Sequence, residues 1–140
     1  MALKALVVDN DEMSLEILEY ILESKGYHIT KVTDGYQAVR KLNAEDFDLV
    51  ITDLRMGPTS GFDVIRTAKD INSNTTVIMI TGSCDSADKI EAFHNGADDY
   101  LQKPFSPTDL LISIQFQKYK QIVTSAFTLE GDQHTANVSG

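Results

Sequence analysis

Leu49-Val50-Ile51-Thr52-Asp53 is a run of strand-forming residues that ends on a carboxylate. An apolar run this short and unbroken reads as a strand buried on both faces, the mark of a parallel sheet covered by helices. The same pattern recurs along the chain. Ala5-Leu6-Val7-Val8 leads into Asp9-Asn10-Asp11-Glu12, Val77-Ile78-Met79-Ile80 into Thr81-Gly82-Ser83, and Tyr100-Leu101 precedes Lys103-Pro104. His28-Ile29-Thr30-Lys31-Val32 adds a fifth run.

Segments with helical spacing lie between these runs. Met13, Ile17 and Ile21, with Leu18 and Leu22 alongside, predict an apolar stripe on a helix over about 12–25, closed by Gly26. Asp34-Gly35 opens a second helix carrying Ala38, Val39 and Leu42, and Gly61 a third carrying Val64, Ile65 and Ala68. A fourth runs from about Asp85 through Ile90 and Phe93 to Asn95-Gly96. Ser106-Pro107 starts the last, lined by Leu110, Leu111, Ile114, Ile122 and Val123. Five strands alternating with five helices predict an α/β domain built on a parallel sheet. After Phe127 the chain turns polar, so the domain is expected over residues 1–124, with 125–140 a tail or the start of a linker.

Composition narrows the class. The chain has 140 residues, enough for one ordinary domain that needs neither disulfide nor metal to fold. Twelve basic against 21 acidic residues give a net charge of −9, the wrong sign for a direct nucleic-acid surface. The apolar runs are too short to cross a bilayer, and the N-terminus does not read as a signal peptide, so a cytoplasmic protein is expected. The lone Cys84 excludes an internal disulfide framework.

In an open parallel sheet, ligands bind beyond the carboxyl ends of the strands. One edge therefore gathers Asp9, Asn10, Asp53, Arg55, Thr81, Ser83 and Lys103. Acidic and amide oxygens suit a hard cation such as Mg²⁺, and a carboxylate beside that cation can serve as a nucleophile toward phosphorus. A lysine and a hydroxyl would offset charge on the phosphoryl oxygens. Asp11 stands just before the first helix and reads as its N-cap rather than a ligand. His28, His94, His134, Asp98 and Asp99 are assigned no chemistry.

These residues resemble the receiver domains of bacterial two-component response regulators, over about residues 3–124. Val7-Val8-Asp9-Asn10 is similar to the acidic pair that closes the first strand. Asp53-Leu54-Arg55-Met56 with Gly61 resembles the phosphoacceptor loop, and Val77-Ile78-Met79-Ile80-Thr81-Gly82 the strand of the switch threonine. Gly96-Ala97-Asp98-Asp99-Tyr100-Leu101-Gln102-Lys103-Pro104-Phe105 is close to the family's most recognisable stretch. The resemblance implies a flavodoxin-like, doubly wound sheet of order 2-1-3-4-5. It implies Asp53 as the phosphoacceptor for a histidine kinase or histidine phosphotransfer protein, assisted by Thr81 and Lys103, in a signalling switch that is not an enzyme on other substrates. Mg²⁺ would be held by Asp9, Asn10, Asp53 and the Arg55 backbone carbonyl. Arg55 and Ser83, two residues after Asp53 and Thr81, would modulate dephosphorylation. Thr81 and Tyr100 would relay the signal to the face of the fourth helix, fifth strand and fifth helix. That face is expected to carry Lys89, Glu91, Lys118 and Lys120, and to meet a downstream protein, an output domain or a second copy.

Two departures stand out. Asn10 occupies a position that is acidic in the family, so Mg²⁺ is expected to bind weakly. Gly57-Pro58 shifts the proline of the phosphoacceptor loop by one residue. Two other functions compete. Asp9-Asn10-Asp11 resembles the Asp-x-Asp motif of haloacid-dehalogenase-type phosphatases, with Asp9 as nucleophile; there, however, the lysine precedes the final acidic pair, whereas Asp98-Asp99 here precede Lys103. A pseudo-receiver, docking without phosphorylation, has Asn10 as its only support.

Overall fold

The computed structural model describes the backbone of residues 2–138 and the side chains of residues 2–127. Its elements alternate in chain order: β1 (Leu3–Val8), α1 (Glu12–Glu23), β2 (Tyr27–Val32), α2 (Gly35–Ala44), β3 (Leu49–Thr52), α3 (Gly61–Ile71), β4 (Thr76–Thr81), α4 (Ser86–His94), β5 (Asp99–Gln102) and α5 (Pro107–Val138). The five strands form one sheet in the order β2-β1-β3-β4-β5, all pairs parallel. The sheet is therefore doubly wound, with the order reversing at β1.

Burial explains the strand sequences. β3 and β4 are buried at every position, because helices cover both faces of the sheet. One core layer packs Leu6, Val8, Val50, Val77 and Met79 against Ala38, Leu42, Val64, Ile65 and Ala68 of α2 and α3, with Ala92 of α4. The opposite layer packs Ala5, Val7, Leu49, Ile51, Ile78 and Ile80 against α1 and α5 through Leu15, Leu18, Ile21, Leu22, Leu110 and Ile114. Local signals start the helices where expected. Asp11 caps α1 by accepting from Met13 N at 3.2 Å, Asp34 caps α2 through Gln37 N at 2.8 Å, and Asp85 caps α4 through Ala87 N at 2.9 Å.

Two helical expectations need correction, one in α1 and one in α5. In α1, Met13 and Ile17 are 69% and 47% exposed, and Leu15 takes the core position instead. The buried face follows Leu15, Leu18, Ile21 and Leu22. In α4, Ile90 and Phe93 face outward and Ala92 is the buried residue. In α5, Ile122 and Val123 are exposed, beyond the stretch that Leu110, Ser113, Ile114 and Gln117 bury. The backbone of α5 continues to Val138.

One consequence is an apolar stripe on the outside of α5. Ile112, Phe116, Tyr119 and Val123 are all exposed and recur at alternating spacings of four and three, opposite the helix's buried face. Lys118 does not share that outer surface or the α4 side. Its ammonium lies 5.4 Å from the centre of the Tyr27 ring, toward β2.

Candidate functional site

Three groups reach the same edge of the sheet, each one residue past the end of its strand. The backbone ladder holds each of them. Asp9 N donates to Val32 O at 3.2 Å, Asp53 N to Val8 O at 2.9 Å, and Lys103 N to Thr81 O at 2.8 Å. The side chains therefore leave from positions as fixed as the sheet itself. The Lys103 ammonium then closes the cluster, donating to Asp9 Oδ2 at 2.6 Å and to Asp53 Oδ2 at 3.2 Å.

Electrostatics favour this arrangement. Asp9 is only 2% exposed, and a carboxylate so buried needs both a counter-charge and hydrogen bonds. Lys103 supplies the charge, while Asp11 N donates to Asp9 Oδ1 at 2.9 Å. Burial by itself pushes the Lys103 ammonium down, but its hydrogen bond to Asp9 and the field of Asp53 outweigh that and raise it above its ordinary value. Leu54 N donates to Asp53 Oδ1 at 2.6 Å, which orients the Asp53 carboxylate.

The Asp53 carbonyl is fixed as firmly as the carboxylate. Thr52 Oγ1 donates to it at 2.8 Å. A Cβ placed on Gly61 would lie 2.1 Å from the same oxygen and 2.9 Å from Leu54 Cα, so no larger residue fits without moving the loop. Gly57 takes φ +102°, a conformation that favours glycine, and so bends the loop one residue before Pro58. Thr52 lies inside the buried run ahead of Asp53, and nothing in the sequence marks its hydroxyl as a support for the site.

Thr81 closes β4 and is buried, its hydroxyl accepting from Ser83 N at 3.4 Å. The Tyr100 ring is half-buried against the core layer that includes α3 and α4, and its hydroxyl donates to Ser83 O at 3.1 Å. Burial raises the Tyr100 phenol, and the carboxylates of Asp88 and Asp85 add to that. Asn10 is exposed at the turn after Asp9. Arg55 does not reach over Asp53 here; its guanidinium pairs with Asp88 of α4 at 3.4 Å. Asp88 escaped the sequence reading because an acid in a first helical turn is expected for its favourable interaction with the helix dipole alone.

Asp98 and Asp99 make their contacts away from the cluster. Asp98 pairs with Lys69 at 2.7 Å and accepts from Val77 N at 2.8 Å, while Asp99 bonds Ser113 of α5. His28 and His94 are exposed and take no part in the cluster. The His134 side chain lies outside the described residues.

The donor set fits a hard cation of modest affinity. Asp9, Asp53, the Asn10 amide and the Arg55 carbonyl are all oxygen donors, and Mg²⁺ typically takes one or two carboxylates while keeping waters. Among the described residues, however, no three His, Cys, Asp or Glu side chains group as a metal-holding cluster.

Solved structures with this architecture are CheY-like receivers. A receiver domain protein from Methanospirillum hungatei is 27% identical and superposes with a TM-score of 0.82, covering 89% of this chain and 99% of that one. The BeF₃-activated DrrB receiver domain is 29% identical, with a TM-score of 0.78 over 85% of this chain and 99% of that one. Residues 5–115 match the model of the response regulator receiver domain, and the chain belongs to that family. Among curated relatives, the response regulator SaeR of Staphylococcus epidermidis is 36% identical over 76% of this chain and 46% of its own length. The alkaline phosphatase synthesis transcriptional regulatory protein PhoP of Bacillus subtilis is 34% identical over 76% of this chain and 45% of its own. The chain thus spans about half the length of the curated relatives it matches. Among the described residues no helix is long and apolar enough to cross a membrane.

Proposed function

We propose that the chain is a phosphorylation-controlled switch in which Asp53 accepts a phosphoryl group from a histidine kinase or histidine phosphotransfer protein. The observation that carries this reading is the bridge of Lys103 between Asp9 and Asp53, at 2.6 and 3.2 Å. An Asp53 oxygen attacks phosphorus, the bond from phosphorus to the donor imidazole nitrogen breaks, and that nitrogen takes up a proton. Lys103, already beside Asp53, is placed to hold one phosphoryl oxygen, and Thr81 reorients its hydroxyl toward another. Asp9, Asn10, Asp53 and the Arg55 carbonyl would hold Mg²⁺, which supplies further positive charge against the phosphoryl oxygens. The neutral Asn10 weakens that site.

The phosphatase alternative is disfavoured by Asp11. Its carboxylate accepts from Met13 N and Ser14 Oγ in the first turn of α1, where it cannot also act as acid and base for Asp9. Output then follows from Ser83. Moving the Thr81 hydroxyl shifts the Ser83 amide that it holds, and with it the carbonyl that anchors Tyr100. The face of α4, β5 and α5 responds and meets a downstream protein, an output domain or a second copy. Residues 1–124 would form the switch, in the cytoplasm, with 125–140 a tail or the start of a linker. The exposed Met13, Ile17 and Tyr20 of α1, the helix that follows Asp9, would offer the phosphodonor an apolar surface.

The test is to incubate the protein with acetyl phosphate and Mg²⁺ and to map the adduct by mass spectrometry. A single phosphoryl group on Asp53 is expected, absent in Asp53→Ala. An unchanged adduct in that variant would remove Asp53 from the role, and no adduct on the parent would favour the pseudo-receiver.

A further inference from the structure

We propose that Asp88 is a positioning residue that holds Arg55 away from Asp53 until phosphorylation draws the guanidinium across, so that the two anions compete for one cation. The proposal rests on the reading of Asp53 as phosphoacceptor. Asp88 stands in the first turn of α4, and its carboxylate is only 17% exposed although most of that helix faces solvent. Its Oδ2 accepts from Ser83 Oγ at 2.6 Å and lies 3.4 Å from Arg55 Nη2. Ser83 in turn bonds Thr81 through its amide, Tyr100 through its carbonyl, and Asp85 N through its hydroxyl at 3.3 Å. One carboxylate therefore connects the loop after Asp53 to the loop after Thr81.

The two bonds of Asp88 differ in strength, and that difference makes an exchange. The Ser83 hydrogen bond is short and half-buried. The Arg55 guanidinium is 79% exposed, and an ion pair so solvated holds only weakly. A phosphoryl group on Asp53 brings a charge of about −1.5 to −2 and three acceptor oxygens, which an arginine two residues away can pair with more strongly than with a single carboxylate. Arg55 then leaves Asp88 for the phosphoryl group and covers it against water, while Asp88 stays on Ser83. α4 buries only Ala92, so its N-terminus is lightly anchored and is free to register the loss of the pair. A first-turn acid with no other role would stabilise α4 without affecting the life of the acyl phosphate.

Asp88→Asn separates these readings, because the amide oxygen still accepts from Ser83 while the charge is gone. The full chain, loaded with acetyl phosphate and freed of donor, is followed as the parent, Asp88→Asn, Arg55→Ala and the double variant. The acyl phosphate is expected to live roughly two- to fivefold longer in Asp88→Asn, the worth of an exposed ion pair. It is expected to live for a shorter time in Arg55→Ala, and in that background Asp88→Asn is expected to change nothing. In the unphosphorylated protein, the Arg55 Nε–Hε resonance is expected to move on Asp88→Asn. Equal lengthening in both backgrounds, no lengthening, or an unmoved resonance overturns the exchange. A parent that takes up no phosphoryl group overturns the phosphoacceptor reading instead.

Discussion

The Lys103 ammonium reaches the Asp9 carboxylate at 2.6 Å, joining the ends of β5 and β1 across β3 and β4. This contact ties together residues 94 positions apart in sequence, so it forms only when the sheet is complete. It also makes the charge of the site part of the stability of the fold. Lys103→Met would leave the nearly buried Asp9 without its counter-charge, and a cost of about 1–3 kcal/mol is expected by urea unfolding at neutral pH. The phosphorylation rate of Asp53 by acetyl phosphate should fall in the same variant. A variant as stable as the parent would show that Asp11 N and solvent satisfy Asp9 without Lys103.

The raised Lys103 value sets a pH dependence with a definite sign. Its contribution is fully present below the ordinary lysine value of 10.5 and is lost as pH rises through the still higher value in the folded protein. The stability difference between the parent and Lys103→Met should therefore be constant through the neutral range and shrink only above about pH 10.5. Urea midpoints of the two proteins across pH 7–12 check this. A difference that vanishes below pH 9 would mean that the ion pair does not set it.

Gly61→Ala is expected to damage the site more than the fold around it. Its Cβ would meet the Asp53 carbonyl and the Leu54 backbone, neither of which can yield as a side-chain end can. The β3–α3 loop would have to move, taking with it the Asp53 carboxylate and the Arg55 carbonyl. A phosphorylation rate reduced by about tenfold or more, with most secondary structure retained by circular dichroism, is the expected outcome. Near-parental phosphorylation would show that the loop has slack the backbone contacts do not reveal.

Which residues share this edge of the sheet is legible in the sequence for a topological reason. Asp9, Asp53, Thr81 and Lys103 each follow or close a strand, and parallel strands deliver their ends to one edge. What stayed hidden were relations between exposed side chains on different elements. Arg55 could be placed near Asp53 but not on Asp88, because the loops from β3 and β4 meet only in space. The α1 stripe was misread because Met13 and Ile17 share a helical period with Ile21, and periodicity alone does not say which edge of an apolar arc faces the core. The continuation of α5 was missed because a polar, glycine-containing segment gives no local reason to stay helical.

Asn10→Asp should tighten Mg²⁺ binding, because a full negative charge would replace an amide at the proposed cation site and ligand charge is a lever on hard-cation affinity. The same charge has a cost without metal. It adjoins Asp9 in sequence, whose counter-charge, Lys103, is already shared with Asp53. Isothermal titration should show a lower Kd for the variant, and thermal unfolding in chelator a lower Tm. A variant that binds Mg²⁺ no tighter than the parent would remove Asn10 from the proposed ligands.

The outer stripe of α5 would give any self-association through it a distinctive salt response. Ile112, Phe116, Tyr119 and Val123 recur at the spacing of a helix-pairing seam, and a second copy presents the same seam in the same order. Their combined exposed area is on the order of a few hundred Å², comparable to the largest apolar patch a monomer usually carries. Association through it is opposed by the net charge of −9 on each chain. Screening that repulsion should strengthen an apolar dimer, whereas an interface held by surface ion pairs should weaken as salt is added. Sedimentation with beryllofluoride, Mg²⁺ and rising NaCl is therefore expected to shift toward dimer, and Phe116→Asp to remain monomeric throughout. A dimer that dissociates with salt, or one that survives Phe116→Asp, would place the contact elsewhere on the α4, β5 and α5 face.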